Sequence, residues 1–116
     1  MYKRCVDGEM KNFGPDHNST LMAIGNLGEL LIDSRKLEDA ERLCRQSFEG
    51  FCKNVGNDHM FSLYVLNNLA VIAKLKEGGD FEWANLTHQE CIEKMGRLYG
   101  KNALYNRMIE RWPITN

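Results

Sequence analysis

The sequence has little of what several functional classes require. No apolar run approaches the ~18 residues that a membrane-spanning helix needs, and the N-terminal stretch does not resemble a signal peptide. The formal net charge is −1, so no surplus of basic residues favours nucleic acid or an anionic membrane as a partner. We therefore expect a protein that binds no nucleic acid and does not insert into a membrane.

The sequence also lacks the short motifs of the common catalytic and metal sites. It has no G-x-S-x-G nucleophile motif, no glycine-rich phosphate loop and no H-E-x-x-H zinc motif. Its four cysteines form no C-x-x-C pair and lie within helical patterns, which favours reduced thiols in an intracellular, cytoplasmic protein. These observations predict that the protein is not an enzyme and holds no cofactor or metal.

The chain contains one segment that occurs twice in similar form. Residues 14–28 read GPDHNSTLMAIGNLG, and residues 56–70 read GNDHMFSLYVLNNLA. Glycine, aspartate, histidine, asparagine and leucine recur at a constant offset of 42 residues, the distance from Gly14 to Gly56. Similarity at a fixed period in this range predicts stacked helical repeats. Asp16 is expected to cap the helix that follows it.

Apolar residues recur with helical spacing along the whole chain, and no strand-like alternation is present, so the predicted class is all-α. The predicted segments are the end of a preceding helix (1–13), a first repeat (14–55), a second repeat (56–99) and a partial third repeat or capping helix (100–116). Ala40 and Ala84 correspond but lie 44 residues apart. The two additional residues are expected at Gly78-Gly79, in the turn of the second repeat.

The small residues resemble a known family. Leu27-Gly28, Leu31, Ala40 and Cys44 stand where the tetratricopeptide repeat places its leucine, small, bulky, alanine and aromatic residues. The segments AIGNLGELL and VLNNLAVIAK are similar to the 42-residue variety of kinesin light chains. The resemblance implies a right-handed superhelix of two complete helical hairpins plus partial flanking helices. It also implies a scaffold or adaptor that binds a peptide or a partner subunit.

The resemblance further implies a concave groove lined by the first helices of the repeats, where amides can hydrogen-bond a peptide backbone. The residues that it places there are Asn26, Asn67, Asn68, Tyr64, Met22 and Glu29. The other interpretation is that the asparagines only bridge neighbouring first helices. Apart from Lys74, no lysine or arginine is expected in the groove, which disfavours a clamp for a peptide carboxylate.

Two further features leave alternatives open. His17 and His59 recur beside aspartates, yet they lie one repeat apart, so helix starts are favoured over a shared metal. Trp83, Phe61 and Trp112 are not needed by the repeat core and indicate either a partner surface or packing between repeats. A structural subunit of a larger multiprotein assembly, packed through its end faces and these aromatics, is the alternative function.

Overall fold

Residues 2–113 form six helices and their connections. The structure, a computed structural model, describes residues 2–113, with side chains from residue 4 onward. The helices are α1 (Tyr2–Phe13), α2 (Asn18–Asp33), α3 (Leu37–Val55), α4 (Met60–Leu75), α5 (Phe81–Tyr99) and α6 (Ala103–Glu110). No strand occurs between residues 2 and 113, so the all-α prediction is confirmed. The predicted end segments include Met1 and residues 114–116, which lie outside the described part of the chain.

Histidine side chains begin the first helix of each complete hairpin. The Nδ1 atom of His17 accepts a hydrogen bond of 3.1 Å from the backbone N–H of Ser19. His59 accepts the same bond, also 3.1 Å, from Phe61. Each ring thereby satisfies a backbone donor that the first turn leaves free. The prediction that Asp16 caps α2 was wrong, because the chain turns one residue later, and the helix-start interpretation of the histidines is confirmed.

The connections before α2 and α4 are built alike. Gly14 ends α1 with φ 84°, a left-handed conformation that favours glycine, and Gly56 ends α3 in the same region. The Thr20 hydroxyl donates to the Gly14 carbonyl at 2.6 Å, and the Ser62 hydroxyl donates to the Gly56 carbonyl at 2.7 Å. A buried hydroxyl in each first helix therefore fixes the loop that precedes it.

The first hairpin closes through a glycine, as the small-residue pattern predicts. A Cβ atom on Gly28 would lie only 2.7 Å from the Cys44 sulfur, so α2 and α3 cross with no side chain between them at this point. Nearby, the Ser47 hydroxyl donates to the Leu21 carbonyl at 2.8 Å, and both residues are buried. The hairpin is held by close backbone approach and by one buried hydrogen bond across the helices.

The core runs through the stacked helices in two clusters. The larger joins α2, α3 and α4 around Ile32, Phe51 and Ile72, and the smaller joins α4, α5 and α6 around Leu63, Met95 and Met108. Because α4 contributes to both clusters, it is the central helix of the array. Helix α6 packs against both α4 and α5, and this position brings its side chains to the edge of the candidate site.

Candidate functional site

A groove of about 350 Å³, here called the inner groove, lies between the first helices of the repeats. Helices α2, α4 and α6 supply its walls. Its main lining residues are Met22, Asn26, Glu29, Phe61, Tyr64 and Arg107. Because successive first helices stand side by side, residues far apart in sequence meet along this groove.

Four of the six residues predicted for the groove come together there, namely Met22, Asn26, Glu29 and Tyr64. The other two do not line it. Asn67 is 1% exposed and Asn68 is 2% exposed, and the Asn67 amide oxygen lies 2.6 Å from Nδ1 of His88 on α5. At this distance the amide and the imidazole share a hydrogen bond, which engages Asn67 within the hairpin. A ligand-binding role for any of the six residues stays a prediction.

Glu29 is the centre of a charged network on the groove wall. Its Oε1 atom accepts hydrogen bonds from the Tyr64 hydroxyl at 2.8 Å and from Nε of Arg107 at 2.9 Å. Nε of Arg111 lies 2.8 Å from the same oxygen, without the geometry of a hydrogen bond. The Glu29 side chain is only 8% exposed, so the two guanidinium groups offset the unfavourable burial of its charge.

Two groups in this network, the Tyr64 phenol and the Arg107 guanidinium, have raised pKa values. Burial, together with the negative charge of Glu29, raises the pKa of the Tyr64 phenol well above its ordinary range. The hydrogen bond to Glu29 raises the pKa of Arg107 as well. Near neutral pH the phenol is therefore a fixed hydrogen-bond donor, and Arg107 is a fixed cation on the groove wall.

The arginines of this network were not predicted from the sequence. The expectation that the groove lacks arginine was wrong, because Arg107 lines it and its side chain is 56% exposed. The sequence signal that could have identified these arginines is the residue that caps α6. Asn102 caps α6 as His59 caps α4, 43 residues earlier, and this register aligns Arg107 with Tyr64 and Arg111 with Asn68. If Gly100 is aligned with Gly56 instead, the offset is 44 residues, and Arg107 and Arg111 no longer align with Tyr64 and Asn68.

Lys74, the one cation that the sequence placed near the groove, lies elsewhere. Its ammonium donates to the Asn85 side-chain oxygen at 3.1 Å and stands 5.9 Å from the Trp112 ring. That ring stacks on the His88 imidazole with centroids 3.9 Å apart and planes 8° apart. Burial lowers the pKa of His88. Trp112 thus secures the segment after α6 against α5, as the packing interpretation predicts.

The remaining aromatics divide between packing and exposure. Phe61 packs against the core and lies 5.5 Å, centroid to centroid, from Phe51. Trp83 is 42% exposed near the start of α5. Of the three aromatics proposed for a partner surface, Trp83 is therefore the one that presents a large exposed face.

Two negative findings bound the chemistry of the described residues. Between residues 2 and 113, no group of three or more histidine, cysteine, aspartate or glutamate side chains is placed to hold a metal ion. None of the helices in that part of the chain is long and apolar enough to cross a membrane.

The stacked antiparallel helices and the groove along their first members define the class of α-helical repeat proteins. A family model described as tetratricopeptide repeat matches residues 20–59, which span most of α2, all of α3 and the loop before α4. The match supports a tetratricopeptide repeat protein, and the fold is an all-α array of that type. Because tetratricopeptide repeats mediate protein interactions in general, the match supports a protein–protein interaction module. No curated protein matches the chain.

Proposed function

We propose that this chain is a scaffold or adaptor module that binds a peptide segment of a protein partner through the inner groove. The observation that carries the proposal is the convergence of Met22, Asn26, Glu29 and Tyr64 on one groove, together with Arg107 from α6. The 42-residue offset between Gly14 and Gly56 supports the variety of repeat found in kinesin light chains. A cytoplasmic location belongs to the same proposal.

The groove offers three kinds of contact to a peptide. Met22 and Phe61 supply apolar surface, and Asn26 supplies an amide that can both donate and accept. Arg107 uses Nε for Glu29, and its remaining N–H groups are suited to carbonyl or carboxylate oxygens of a ligand. In this proposal Asn67 and Asn68 act indirectly, by positioning α4, because both are almost fully buried.

The test is selection of a binding peptide from a displayed random library, followed by titration of that peptide into isotope-labelled protein. We expect NMR shifts at Met22, Asn26 and Phe61, and a loss of affinity of about tenfold in Asn26→Ala. The matched control is Gln89→Ala, which removes an exposed amide on α5. Unchanged affinity in Asn26→Ala, with shifts away from the groove, would refute the inner groove as the binding site.

A structural subunit of a larger assembly is the second candidate, and exposed apolar residues near both ends of the array support it. Phe13 on α1 is 52% exposed, and Ile109 on α6 is 47% exposed. Neighbouring chains would bury such residues. Sedimentation across a range of concentrations separates the two candidates, because a monomer that stays monodisperse argues against a subunit that requires partners.

A further inference from the structure

A second depression, here called the outer cleft, lies between α3 and α5 over the middle of α4. It has a volume of about 580 Å³ and shares no lining residue with the inner groove. Phe48, Leu66, Leu69 and Ala73 contribute apolar surface, and Trp83 contributes an exposed ring. Leu86, one turn further along α5, is 60% exposed and extends the apolar surface near this ring.

Two departures from the repeat pattern meet at this cleft. The inserted pair Gly78-Gly79 lines it, and a side chain at Gly79 would overlap the Ala73 carbonyl, so the turn requires glycine in order to pack against the end of α4. Trp83 stands where the first repeat, 44 residues earlier, has the exposed Asp39. The cleft is therefore a feature of the second repeat that the shared repeat architecture does not explain.

Three carboxylates and two cations line the cleft, so their formal charges sum to −1. Both cations that line it lie near Glu41, with Arg45 at 3.7 Å and Lys76 at 3.8 Å. Two further carboxylates line the cleft, Glu49 and Asp80. Within the part of the chain that the structure describes, neither takes part in a salt bridge. Asp80 uses one oxygen to accept the Trp83 backbone N–H at 2.9 Å.

We propose that the outer cleft is a second docking site for a peptide segment of a protein partner, one that carries a large apolar side chain flanked by lysine or arginine. The apolar side chain packs between Phe48 and Trp83 and removes the exposed indole face from water. The flanking cation pairs with Glu49 and Asp80. Exposed tryptophans in apolar depressions are frequent energetic centres of interfaces, and complementary charge selects the partner.

The probes are three short alanine-based helical peptides that differ in one feature each. The first carries two leucines one turn apart and flanking lysines, the second has glutamates in place of the lysines, and the third has alanines in place of the leucines. Each is titrated into isotope-labelled full chain while the Trp83 indole and Glu49 backbone NMR signals are followed. We expect the first peptide to shift both signals and to bind about tenfold more tightly than either of the others.

Two variants test the apolar contact and the charged contact separately. Trp83→Ala removes the exposed ring and is expected to abolish binding. Glu49→Gln combined with Asp80→Asn removes the two carboxylates that form no salt bridge, keeps a capping side chain on α5, and is expected to abolish the preference for the lysine peptide over the glutamate peptide. The matched control Asn26→Ala changes the inner groove and is expected to leave binding of the first peptide unchanged.

Three results would overturn the proposal. These are the absence of any shift at Trp83, shifts confined to the inner groove, and a preference for lysine that persists in the doubly neutralised variant. Because the two sites share no lining residue, failure here leaves the inner groove untouched, and failure at the inner groove leaves this site untouched.

Discussion

Arg107 on α6 donates a hydrogen bond of 2.9 Å to Glu29 on α2, a residue 78 positions earlier in the chain. The Tyr64 hydroxyl on α4, the helix between them, donates to the same carboxylate oxygen at 2.8 Å. One carboxylate thus joins the first helices of both complete hairpins to α6. The contact fixes the spacing of the helices that form the inner groove.

The Glu29 network is expected to contribute measurably to stability. Glu29→Gln keeps an oxygen for Tyr64 but leaves Arg107 and Arg111 without their shared negative charge. We expect the free energy of unfolding to fall by about 2 kcal/mol in urea titrations, because removal of one member of a buried ionic network is strongly destabilising. The control is Glu93→Gln, which breaks an exposed pair with Arg97 and should change stability by no more than about 0.5 kcal/mol. Equal effects of the two substitutions would show that the network is not stabilising.

The close crossing of α2 and α3 predicts opposite effects for two glycine-to-alanine substitutions. Gly28→Ala places a methyl group against the Cys44 sulfur and should cost about 1–2 kcal/mol. In a Cys44→Ala background this cost should shrink, because the opposing atom is absent. Gly8→Ala on α1, where a Cβ meets nothing within 4 Å, should stabilise by about 0.5–1 kcal/mol. Thermal or urea unfolding of Gly28→Ala, Cys44→Ala, the double variant and Gly8→Ala measures these changes in stability. A stabilising effect of Gly28→Ala would contradict the packing argument.

His88 predicts a loss of stability on mild acidification. Burial lowers its pKa in the folded state, so between the ordinary value of ~6.5 and that lower value the unfolded chain binds a proton that the folded protein does not. The free energy of unfolding contributed by His88 therefore falls as the pH decreases through this window. His88→Gln should lose this part of the pH dependence. An NMR titration that gave His88 a pKa at or above ~6.5 would contradict the prediction.

The four thiols are expected to differ widely in reactivity. Cys5 is exposed, whereas Cys44 and Cys91 are buried, and burial raises the pKa of each of these two thiols to about 12. Since the thiolate is the reactive form, a disulfide reagent near pH 8 should label Cys5 first and leave Cys44 and Cys91 unlabelled in folded protein. All four should react after denaturation. Mass spectrometry of partly labelled protein locates the modification, and early labelling of Cys44 would indicate that α2 and α3 separate readily.

Local sequence signals predicted the architecture well. The 42-residue offset and helical periodicity gave the all-α array, because amphipathic helices that repeat bury their apolar faces only by stacking. Gly28 predicted the close crossing of α2 and α3, because only a small residue permits it. Four residues that line the groove were predicted through the resemblance to the tetratricopeptide repeat, which implies a groove along the first helices.

The errors lie where a side chain depends on distant neighbours. Asn67 belongs to a first helix, yet it faces His88 across the hairpin, because the packing of α5 against α4 determines its surroundings. Arg107 was overlooked because a shorter loop before α6 changes the register by one residue. For Trp112 the sequence left a partner surface and packing open, and its stacking on His88 decides for packing.

The sequence by itself determined the helices and the small residues at the crossing, because these depend on contacts within a few turns or on a repeated period. Only the tertiary structure decided which carboxylate meets which guanidinium. It also decided that the inserted glycine turn and Trp83 frame one cleft. The physical reason is that Glu29, Tyr64 and Arg107 lie on three separate helices, and their distances follow from the stacking of whole repeats.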